Sequence, residues 1–140
     1  MTDQIKPYRR TALYYETDQM AIIHHSNYIR WFEEARTDLL TQMGFPYKSF
    51  EDRGILIPVL EVSCEYKQAV VYDETVLIEP KVTFFNGIKF EIEYSIYGEA
   101  KGQLKAKGHS KHCFVDRNMS PIRMKKLHPD ICEMFEKTQS

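Results

Sequence analysis

The chain has 140 residues, of which 43% are hydrophobic, and it carries 19 Lys and Arg against 20 Asp and Glu. This length and composition predict one domain over residues 1–140 with its own core, and they exclude a chain without a fixed fold. A net charge of −1, with both signs spread along the sequence, argues against nucleic acid or an anionic membrane as a partner. No apolar run is long enough to predict a membrane span.

The cysteines and the N-terminal stretch indicate a cytoplasmic protein. Cys64, Cys113 and Cys132 are odd in number and widely spaced, which favours reduced thiols over a disulfide framework or a zinc site. Residues 1–7 lack the apolar core of a signal peptide, so none is expected. His109 and His112 are three residues apart on one predicted strand and so face opposite sides, which argues against a shared metal ion.

In chain order, the first predicted elements are a strand and a long helix. Residues 9–16 favour β structure, and a polar break follows. The amphipathic pattern beyond it predicts a helix with Ser26 or Asn27 as its N-cap and Gly44 at its end. Apolar residues recur at three- and four-residue steps along one side of this helix: Tyr28, Trp31, Phe32, Ala35, Leu39 and Met43. This side must be covered by another layer.

Mostly strands follow. After a short helical segment at residues 47–53, alternating apolar patterns predict strands over residues 57–67, 75–85, 88–97 and 103–116. Asn86-Gly87 predicts a tight hairpin, and residues 130–137 predict a short final helix. The order predicts an α+β fold. One helix cannot cover both faces of such a sheet, and a sheet edge is free to pair with a second copy, so a homo-oligomer is expected.

Several motifs around the start of the long helix carry a family resemblance. They are Tyr14-Tyr15-Glu16-Thr17-Asp18, His24-His25-Ser26-Asn27-Tyr28 and Trp31-Phe32-Glu33-Glu34-Ala35-Arg36, supported by Cys64-Glu65-Tyr66-Lys67, Tyr72-Asp73 and Phe114-Val115-Asp116. With these motifs the chain resembles the hotdog-fold acyl-coenzyme A (acyl-CoA) thioesterases of the hydroxybenzoyl-CoA thioesterase group, including the bacterial branch associated with the Tol-Pal cluster. The resemblance implies a five-stranded antiparallel sheet wrapped around one long central helix. It also implies homodimers with a continuous sheet, an active site at the dimer interface and, often, homotetramers.

The resemblance also assigns the site residues. Asp18 matches the catalytic carboxylate, Tyr14 and His25 match residues that flank it, and the backbone N–H of His25 matches the donor to the thioester carbonyl. The substrate-binding residues implied are Asn27, Tyr28 and Lys67. No cofactor is expected, because CoA is part of the substrate, and no metal is expected either.

Three positions depart from the family pattern. Glu16 stands where many members have Asp, Ala21 where Gly is usual, and Ala69 near where a Pro is common. Ala21 matters most, because Gly reaches positive φ without a steric penalty. The departure bears on the geometry of the active-site loop and not on the chemistry.

The residues themselves are suited to thioester hydrolysis. A helix N-terminus carries unpaired N–H groups and a partial positive charge, which suit a developing oxyanion. One ionised carboxylate, here Asp18, can act either as nucleophile or as the base that activates water, and the sequence leaves both roles open. The Tyr14 hydroxyl can hold Asp18 or the substrate, and the His25 ring can orient water or help proton transfer.

The substrate is expected to lie between subunits, with its acyl chain between the long helix and the neighbouring subunit's sheet. The phosphates of the coenzyme require nearby cations, and the candidates are Lys67, Lys89, Lys111, Arg117 and Arg123. The alternating lysines of residues 105–111 and the cluster at residues 123–126 are also typical of a solvated surface.

Two classes of function stay open. The preferred one is an acyl-CoA thioesterase. The alternative is a protein that binds acyl groups or an acyl carrier protein without hydrolysis, which keeps the scaffold while Ala21 disturbs the active-site loop. For Asp18 itself, the alternative to catalysis is a strand-end acid that turns the chain or caps a helix. A hotdog dehydratase is less favoured, because those enzymes pair a catalytic His with an acid in another arrangement.

Overall fold

A five-stranded antiparallel sheet and one long helix make up most of the chain. The computed structural model describes residues 5–138. Of residues 1–7, in which no signal peptide is expected, the first four therefore lie outside the described residues. The elements are β1 (Tyr8–Thr11), α1 (Ser26–Gln42), α2 (Tyr47–Asp52), β2 (Val59–Tyr66), β3 (Thr75–Phe85), β4 (Lys89–Gly98), β5 (Leu104–Cys113), α3 (Met124–Leu127) and α4 (Pro129–Thr138). Within residues 5–138, no helix has the length and hydropathy needed to cross a membrane.

The strand order in the sheet is β1-β3-β4-β5-β2, and every pairing is antiparallel. The predicted hairpin between β3 and β4 is confirmed. The Asn86 side-chain oxygen accepts hydrogen bonds from the N–H groups of Ile88 and Lys89 at 2.9 and 2.7 Å, and Gly87 has a φ of 89°. This order leaves β2, a strand of eight residues, at one edge of the sheet.

The core lies between α1 and the inner face of the sheet. The predicted apolar side of α1 is confirmed: Trp31, Phe32 and Ala35 are fully buried. The Phe32 ring stacks on Tyr94 of β4 with ring centroids 4.4 Å apart. A Cβ at position 108 of β5 would overlap the Phe32 ring, so this approach of helix to sheet requires glycine there.

Two local predictions at the start of the chain are wrong. The first strand ends at Thr11 rather than continuing to residue 16, because the chain turns into a 3₁₀ segment at Tyr14–Glu16 that buries the Glu16 side chain. Neither Ser26 nor Asn27 caps α1. The helix begins at Ser26, so the N-cap residue is His25, whose side chain forms no capping hydrogen bond; the N–H of Ser26 donates to Nδ1 of His24 at 3.2 Å.

The C-terminal part closes one end of the core. The predicted final helix is present as α4. The short α3, which precedes it, was not predicted from the sequence. Aromatic rings from β3, β4, the segment after β5, and α4 pack together: Phe85, Phe90, Phe114 and Phe135. The last strand ends at Cys113, earlier than predicted, and Val115 then forms bridges to Leu56 and Pro121.

The two histidines of β5 face opposite sides, as predicted. His109 Nε2 lies 2.9 Å from a carboxylate oxygen of Glu91 on the outer face. His112 is completely buried on the inner face, where its Nε2 lies 2.7 Å from the Ser110 hydroxyl. Burial lowers the pKa of His112 to about 3, so the ring is neutral at physiological pH.

Candidate active site

A pocket of about 250 Å³ lies between the loop that precedes α1 and the end of β2. Four of the six residues predicted for the site line it together: Asp18, His25, Tyr28 and Lys67. The remaining lining residues are Met20, Ile22, Ile23, Tyr66, Gln68 and Ala69. Residues on the loop, the helix and the sheet therefore converge on one small concave surface.

A tight turn fixes the position of Asp18. Its N–H donates to the carbonyl of Ile22 at 2.9 Å, and its own carbonyl accepts from the N–H of Ala21 at 3.1 Å. One carboxylate oxygen, Oδ1, accepts from the N–H of Met20 at 2.7 Å. No hydrogen bond from residues 5–138 reaches the other oxygen, Oδ2. One oxygen thus orients the carboxylate, and the other is free for chemistry in the pocket.

Ala21 adopts the conformation for which the family pattern uses glycine. Its φ is 63°, in the left-handed region, so the loop keeps the geometry that the missing glycine put in question. For a residue with a Cβ this conformation costs about 1–2 kcal/mol. The turn around Asp18 therefore forms despite local strain.

Ala21→Gly is expected to raise the free energy of unfolding by about 0.5 kcal/mol, because relief of the strain exceeds the extra backbone entropy of glycine in the unfolded chain. Urea unfolding of the wild type and the variant measures the change. Ala100→Gly is the matched control, because Ala100 is exposed in a turn and has no positive φ. That control should lose stability, and an equal loss in Ala21→Gly would contradict the strain at position 21.

The peptide group of His25 stands at the N-terminus of α1 with its N–H free. No hydrogen bond within the described part of the chain uses this N–H, although the N–H groups of neighbouring residues are paired. The carbonyl of His25 accepts a hydrogen bond from the Tyr66 hydroxyl at 3.0 Å, and this bond fixes the orientation of that carbonyl group. The result is an oriented, unpaired donor at the positive end of a helix of 17 residues.

Tyr66 is a pocket residue that the sequence analysis did not assign. Besides its hydrogen bond to His25, its ring packs edge-on against Tyr28 with centroids 4.9 Å apart. Burial, together with the neighbouring Cys64, raises the pKa of Tyr66 to about 12, so its hydroxyl stays protonated and donates. The only sequence signal was its place in the Cys64-Glu65-Tyr66-Lys67 motif.

A buried carboxylate behind the pocket holds the loop to α1. The Glu16 side chain is 3% exposed, and it accepts hydrogen bonds from two Arg10 nitrogens at 2.9 and 3.0 Å. It also accepts from the indole N–H of Trp31 at 3.0 Å and from the N–H of Leu13 at 2.8 Å. We refer to Glu16, Arg10, Trp31 and Leu13 as the Glu16 cluster. Because every partner is a donor, the cluster requires the ionised carboxylate.

The backbone of Glu16 connects the same cluster to the active-site loop. Its carbonyl accepts from the N–H of His24 at 2.8 Å and from the side-chain amide of Asn27 at 2.9 Å. Asn27 is 7% exposed, so its amide is engaged inside the protein and it does not line the pocket. Glu16 and Asn27 therefore hold the residues on either side of the turn that carries Asp18.

The pKa values of Glu16 and Arg10 are shifted in the directions expected for a buried ion pair. Burial alone would raise the pKa of Glu16, but the hydrogen bonds from Leu13, Trp31 and Arg10 hold it below its usual value. Burial alone would lower the pKa of Arg10, but hydrogen bonds to Glu34 and Glu16 hold it above its usual range. Both groups are therefore charged at neutral pH.

Two other predicted residues lie in more open surroundings. Tyr14 is 73% exposed and does not line the pocket; its ring packs edge-on against Tyr72 with centroids 5.5 Å apart. Lys67 lines the pocket, and its ammonium group forms an ion pair with Glu65. Lys67 thus places a cation at the pocket, whereas Tyr14 is not among the residues that line it.

Comparison with known proteins shows the family to which this chain belongs. The family model described as the thioesterase-like superfamily matches residues 13–135. The chain belongs to the thioesterase-like superfamily. It is 39% identical over 127 residues to the putative acyl-CoA thioesterase YneP of Bacillus subtilis, covering 90% of this chain and 91% of that protein.

Solved structures of thioesterases share the fold of this thioesterase-like chain. A DHNA-CoA thioesterase from Staphylococcus aureus superposes with a TM-score of 0.90 at 33% identity, covering 94% of this chain and 89% of that one. A gentisyl-coenzyme A thioesterase superposes with a TM-score of 0.78 at 26% identity, covering 84% and 94%. The predicted hotdog fold and the predicted membership in a family of thioester hydrolases are confirmed.

The three departures from the family pattern are accommodated in this thioesterase-like chain. Glu16 reaches both Arg10 and Trp31, and Ala21 takes the positive φ directly. Ala69 lies at the pocket, and its carbonyl accepts a hydrogen bond from the Lys105 ammonium at 3.2 Å. With all three departures present, Asp18 and His25 still line the same pocket.

Proposed function

We propose that the chain is an acyl-CoA thioesterase that hydrolyses its substrate to a free acid and CoA in the pocket of Asp18 and His25. One observation carries the proposal: Asp18, which has a carboxylate oxygen without a hydrogen bond from residues 5–138, and His25, whose N–H is unpaired within the same residues, line the same pocket. Thioester hydrolysis needs a donor to the carbonyl oxygen and a nucleophile or a base that activates water, and a carboxylate can fill either of the last two roles.

In the proposed reaction the thioester carbonyl oxygen accepts a hydrogen bond from the N–H of His25. As the carbonyl carbon becomes tetrahedral, negative charge grows on this oxygen, and the positive end of α1 stabilises it. Tyr66 holds the carbonyl of the same residue, in the next peptide group, so the backbone of His25 is oriented before the substrate arrives. Pre-organisation of this kind lowers the barrier because little rearrangement accompanies the reaction.

Asp18 supplies the second half of the reaction in one of two ways. Its free oxygen attacks the carbonyl carbon, the C–S bond breaks to release CoA as a thiolate that takes up a proton, and water hydrolyses the mixed anhydride. Alternatively, Asp18 takes a proton from a water molecule, which attacks the carbonyl carbon, and the thiolate leaves and is protonated. Both routes consume one water and need no strong acid, because a thiolate is a good leaving group.

We propose that the enzyme works as a homodimer formed along the free edge of β2. This edge strand exposes apolar side chains, with Val59 and Leu60 each 50% exposed and Tyr66 47% exposed. Unpaired edge strands with exposed apolar residues are templates for pairing with another chain. Because Tyr66 is both an edge residue and a pocket residue, pairing at this edge completes the pocket with a second subunit. Two dimers would form the homotetramer.

The substrate class is tested by following thiol release from a panel of thioesters. The panel contains DHNA-CoA and gentisyl-CoA, suggested by the two solved relatives, beside straight-chain acyl-CoA esters and an acyl carrier protein thioester. The proposal predicts turnover of at least one CoA thioester. Tight binding of acyl groups without thiol release would instead support the alternative, a protein that binds acyl groups or an acyl carrier protein without hydrolysis.

A further inference from the structure

The N–H groups at the start of α1 are not equally available. The N–H of Ser26 donates to Nδ1 of His24 at 3.2 Å, and that of Asn27 donates to the carbonyl of His24 at 3.0 Å. The N–H of Tyr28 donates to the carbonyl of His25 at 3.3 Å. The first N–H groups of a helix have no partner inside it, so each needs another acceptor. Of residues 25–28, only His25 keeps an N–H without an acceptor from residues 5–138.

His24 is held by its backbone and by its ring. Its N–H donates to the carbonyl of Glu16 at 2.8 Å, which ties it to the Glu16 cluster. Its ring is half-buried and stacks on the ring of His25, with centroids 4.2 Å apart and 28° between the planes. Nδ1 also lies 2.9 Å from the Ser26 hydroxyl. The ring therefore presents its Nδ1 at a fixed place next to the start of α1.

The contacts of His24 reach the site only through its neighbours. His24 does not line the pocket, whereas His25, on which its ring stacks, does. Because Nδ1 accepts from the N–H of Ser26, it carries no proton, and in the neutral ring the proton lies on Nε2. His24 is accordingly a positioning residue rather than a catalytic one.

We propose that His24 determines which amide of α1 polarises the thioester, an inference that rests on the proposed function. With the N–H of Ser26 engaged by His24, the substrate carbonyl finds one donor, the N–H of His25. Without this acceptor, the N–H of Ser26 is a second donor at the same positive end of the helix. A carbonyl bound there lies one residue further along the chain from the turn of Asp18. The acceptor on His24 thus keeps the carbonyl where Asp18 acts.

Three substitutions separate the acceptor of His24 from the rest of its side chain. His24→Phe keeps a ring that can stack on His25 but has no acceptor, and His24→Leu has neither. His24→Asn has nearly the shape of the leucine variant, but its side-chain oxygen accepts from N–H groups at the start of a helix. The Asn and Leu variants differ mainly in the acceptor, so they give the comparison even if the Phe variant does not fold.

Thiol release from the best CoA thioester of the panel measures the effect on catalysis. His24→Phe and His24→Leu are expected to lower kcat about 10-fold with KM within about twofold of the wild type, because a donor to the carbonyl oxygen matters most in the transition state. His24→Asn should keep kcat within about threefold of the wild type, since the acceptor is retained. A role in stability alone predicts the opposite order, because phenylalanine replaces a half-buried ring better than asparagine does.

His109→Phe is the matched control for the loss of a histidine ring. His109 is likewise half-buried, but it lies on the outer face of the sheet, contacts Glu91 and does not line the pocket. This variant should keep the kcat of the wild type. Thermal unfolding of every variant checks that it is folded at the temperature of the assay.

The vibration of the substrate carbonyl tests the position of the donor directly. An acyl-CoA with ¹³C at the thioester carbonyl is bound to Asp18→Asn, in which hydrolysis is slow, and isotope-edited infrared spectroscopy records the C=O band. A hydrogen bond to the oxygen polarises the carbonyl, so the bound substrate should absorb at lower frequency than the free one. Adding His24→Leu should shift this band or add a second one, from substrate held by the N–H of Ser26. Adding His24→Asn should leave one band at the original frequency.

The outcomes separate this inference from the proposed function. The inference is overturned if His24→Leu keeps the kcat of the wild type and one unchanged carbonyl band. It is also overturned if His24→Asn loses as much activity as His24→Leu. In both cases a wild type that hydrolyses a CoA thioester leaves the proposed function standing. If the wild type releases no thiol from any thioester of the panel, the proposed function fails, and the inference fails with it.

Discussion

Asp18→Asn is expected to lower kcat by about 10³-fold while the melting temperature and the oligomeric state remain as in the wild type. The amide keeps the shape of the side chain and its bond to the N–H of Met20, but it is neither a nucleophile nor a base. Thiol release from the best CoA thioester of the panel measures the effect. Thermal unfolding and size-exclusion chromatography with light scattering check the fold and the dimer.

Asp73→Asn provides the matched control for this change. Asp73 is an exposed turn residue with a φ of 69°, a conformation that asparagine also adopts, and it does not line the pocket. It loses the same charge and should keep full activity. Equal activity of Asp18→Asn and the wild type would rule out Asp18 as the catalytic carboxylate. A single turnover in ¹⁸O-water separates the two routes: hydrolysis of an anhydride by attack of water on the Asp18 carbonyl leaves the label in Asp18 and an unlabelled oxygen in the acid, whereas the general-base route puts the label in the acid.

Glu16→Gln is expected to reduce the free energy of unfolding by about 3 kcal/mol, the scale for removing one partner of a buried ion pair. The neutral amide leaves the Arg10 charge without its most buried partner, and its NH₂ group faces donors from Arg10, Trp31 and Leu13. Urea unfolding measures the loss. Activity should also fall, because the carbonyl of the same residue holds His24 and Asn27 next to the active-site turn.

The same cluster predicts how stability depends on pH. Because the pKa of Glu16 is lower in the folded protein than its usual value of 4.5, the stabilisation is fully present above about pH 4.5. It is lost as the pH falls through the lower pKa of the folded state. As the pH falls below 4.5, the free energy of unfolding should therefore decrease less in Glu16→Gln than in the wild type.

Glu34→Gln is the control for the Glu16 prediction. Glu34 also pairs with Arg10, at 2.9 Å, but its side chain is 36% exposed, so water replaces much of the lost interaction. The expected loss is about 0.5 kcal/mol. If both variants lost the same small amount, the burial of Glu16 would have no energetic consequence, and its role in holding the loop would be contradicted.

Features set by neighbouring residues could be predicted from the sequence. The long helix, the Asn86-Gly87 hairpin and the alternation along β4 follow from local periodicity and turn chemistry. The end of the first strand could not be predicted, because it depends on Glu16 meeting Trp31, which is 15 residues further along the chain. The N-cap of α1 could not be predicted, because it is His25, which is an uncommon N-cap residue and forms no side-chain capping hydrogen bond.

The residues of the candidate site likewise include some that the sequence could predict and some that it could not. Asp18, His25 and Tyr28 were predicted together because they lie within one continuous motif, and the family resemblance assigned their roles. Tyr66 was missed because only the pairing of β2 in the sheet brings its hydroxyl to the His25 carbonyl. The sequence of residues 123–126 is typical of a solvated surface. The concave surface that Arg123 and Lys126 line is formed only together with Arg53, from a distant segment.

The arrangement of Asp18 and His25 around a thioester is tested most directly by a crystal structure with a stable substrate analogue, an acyl-CoA in which a CH₂ group replaces the sulfur atom. The ketone oxygen of the analogue is predicted to lie about 2.9 Å from the backbone nitrogen of His25, with the free oxygen of Asp18, or a water molecule bound to it, next to the carbonyl carbon. An analogue whose carbonyl group lies outside this pocket, or points away from the His25 N–H, would contradict the account.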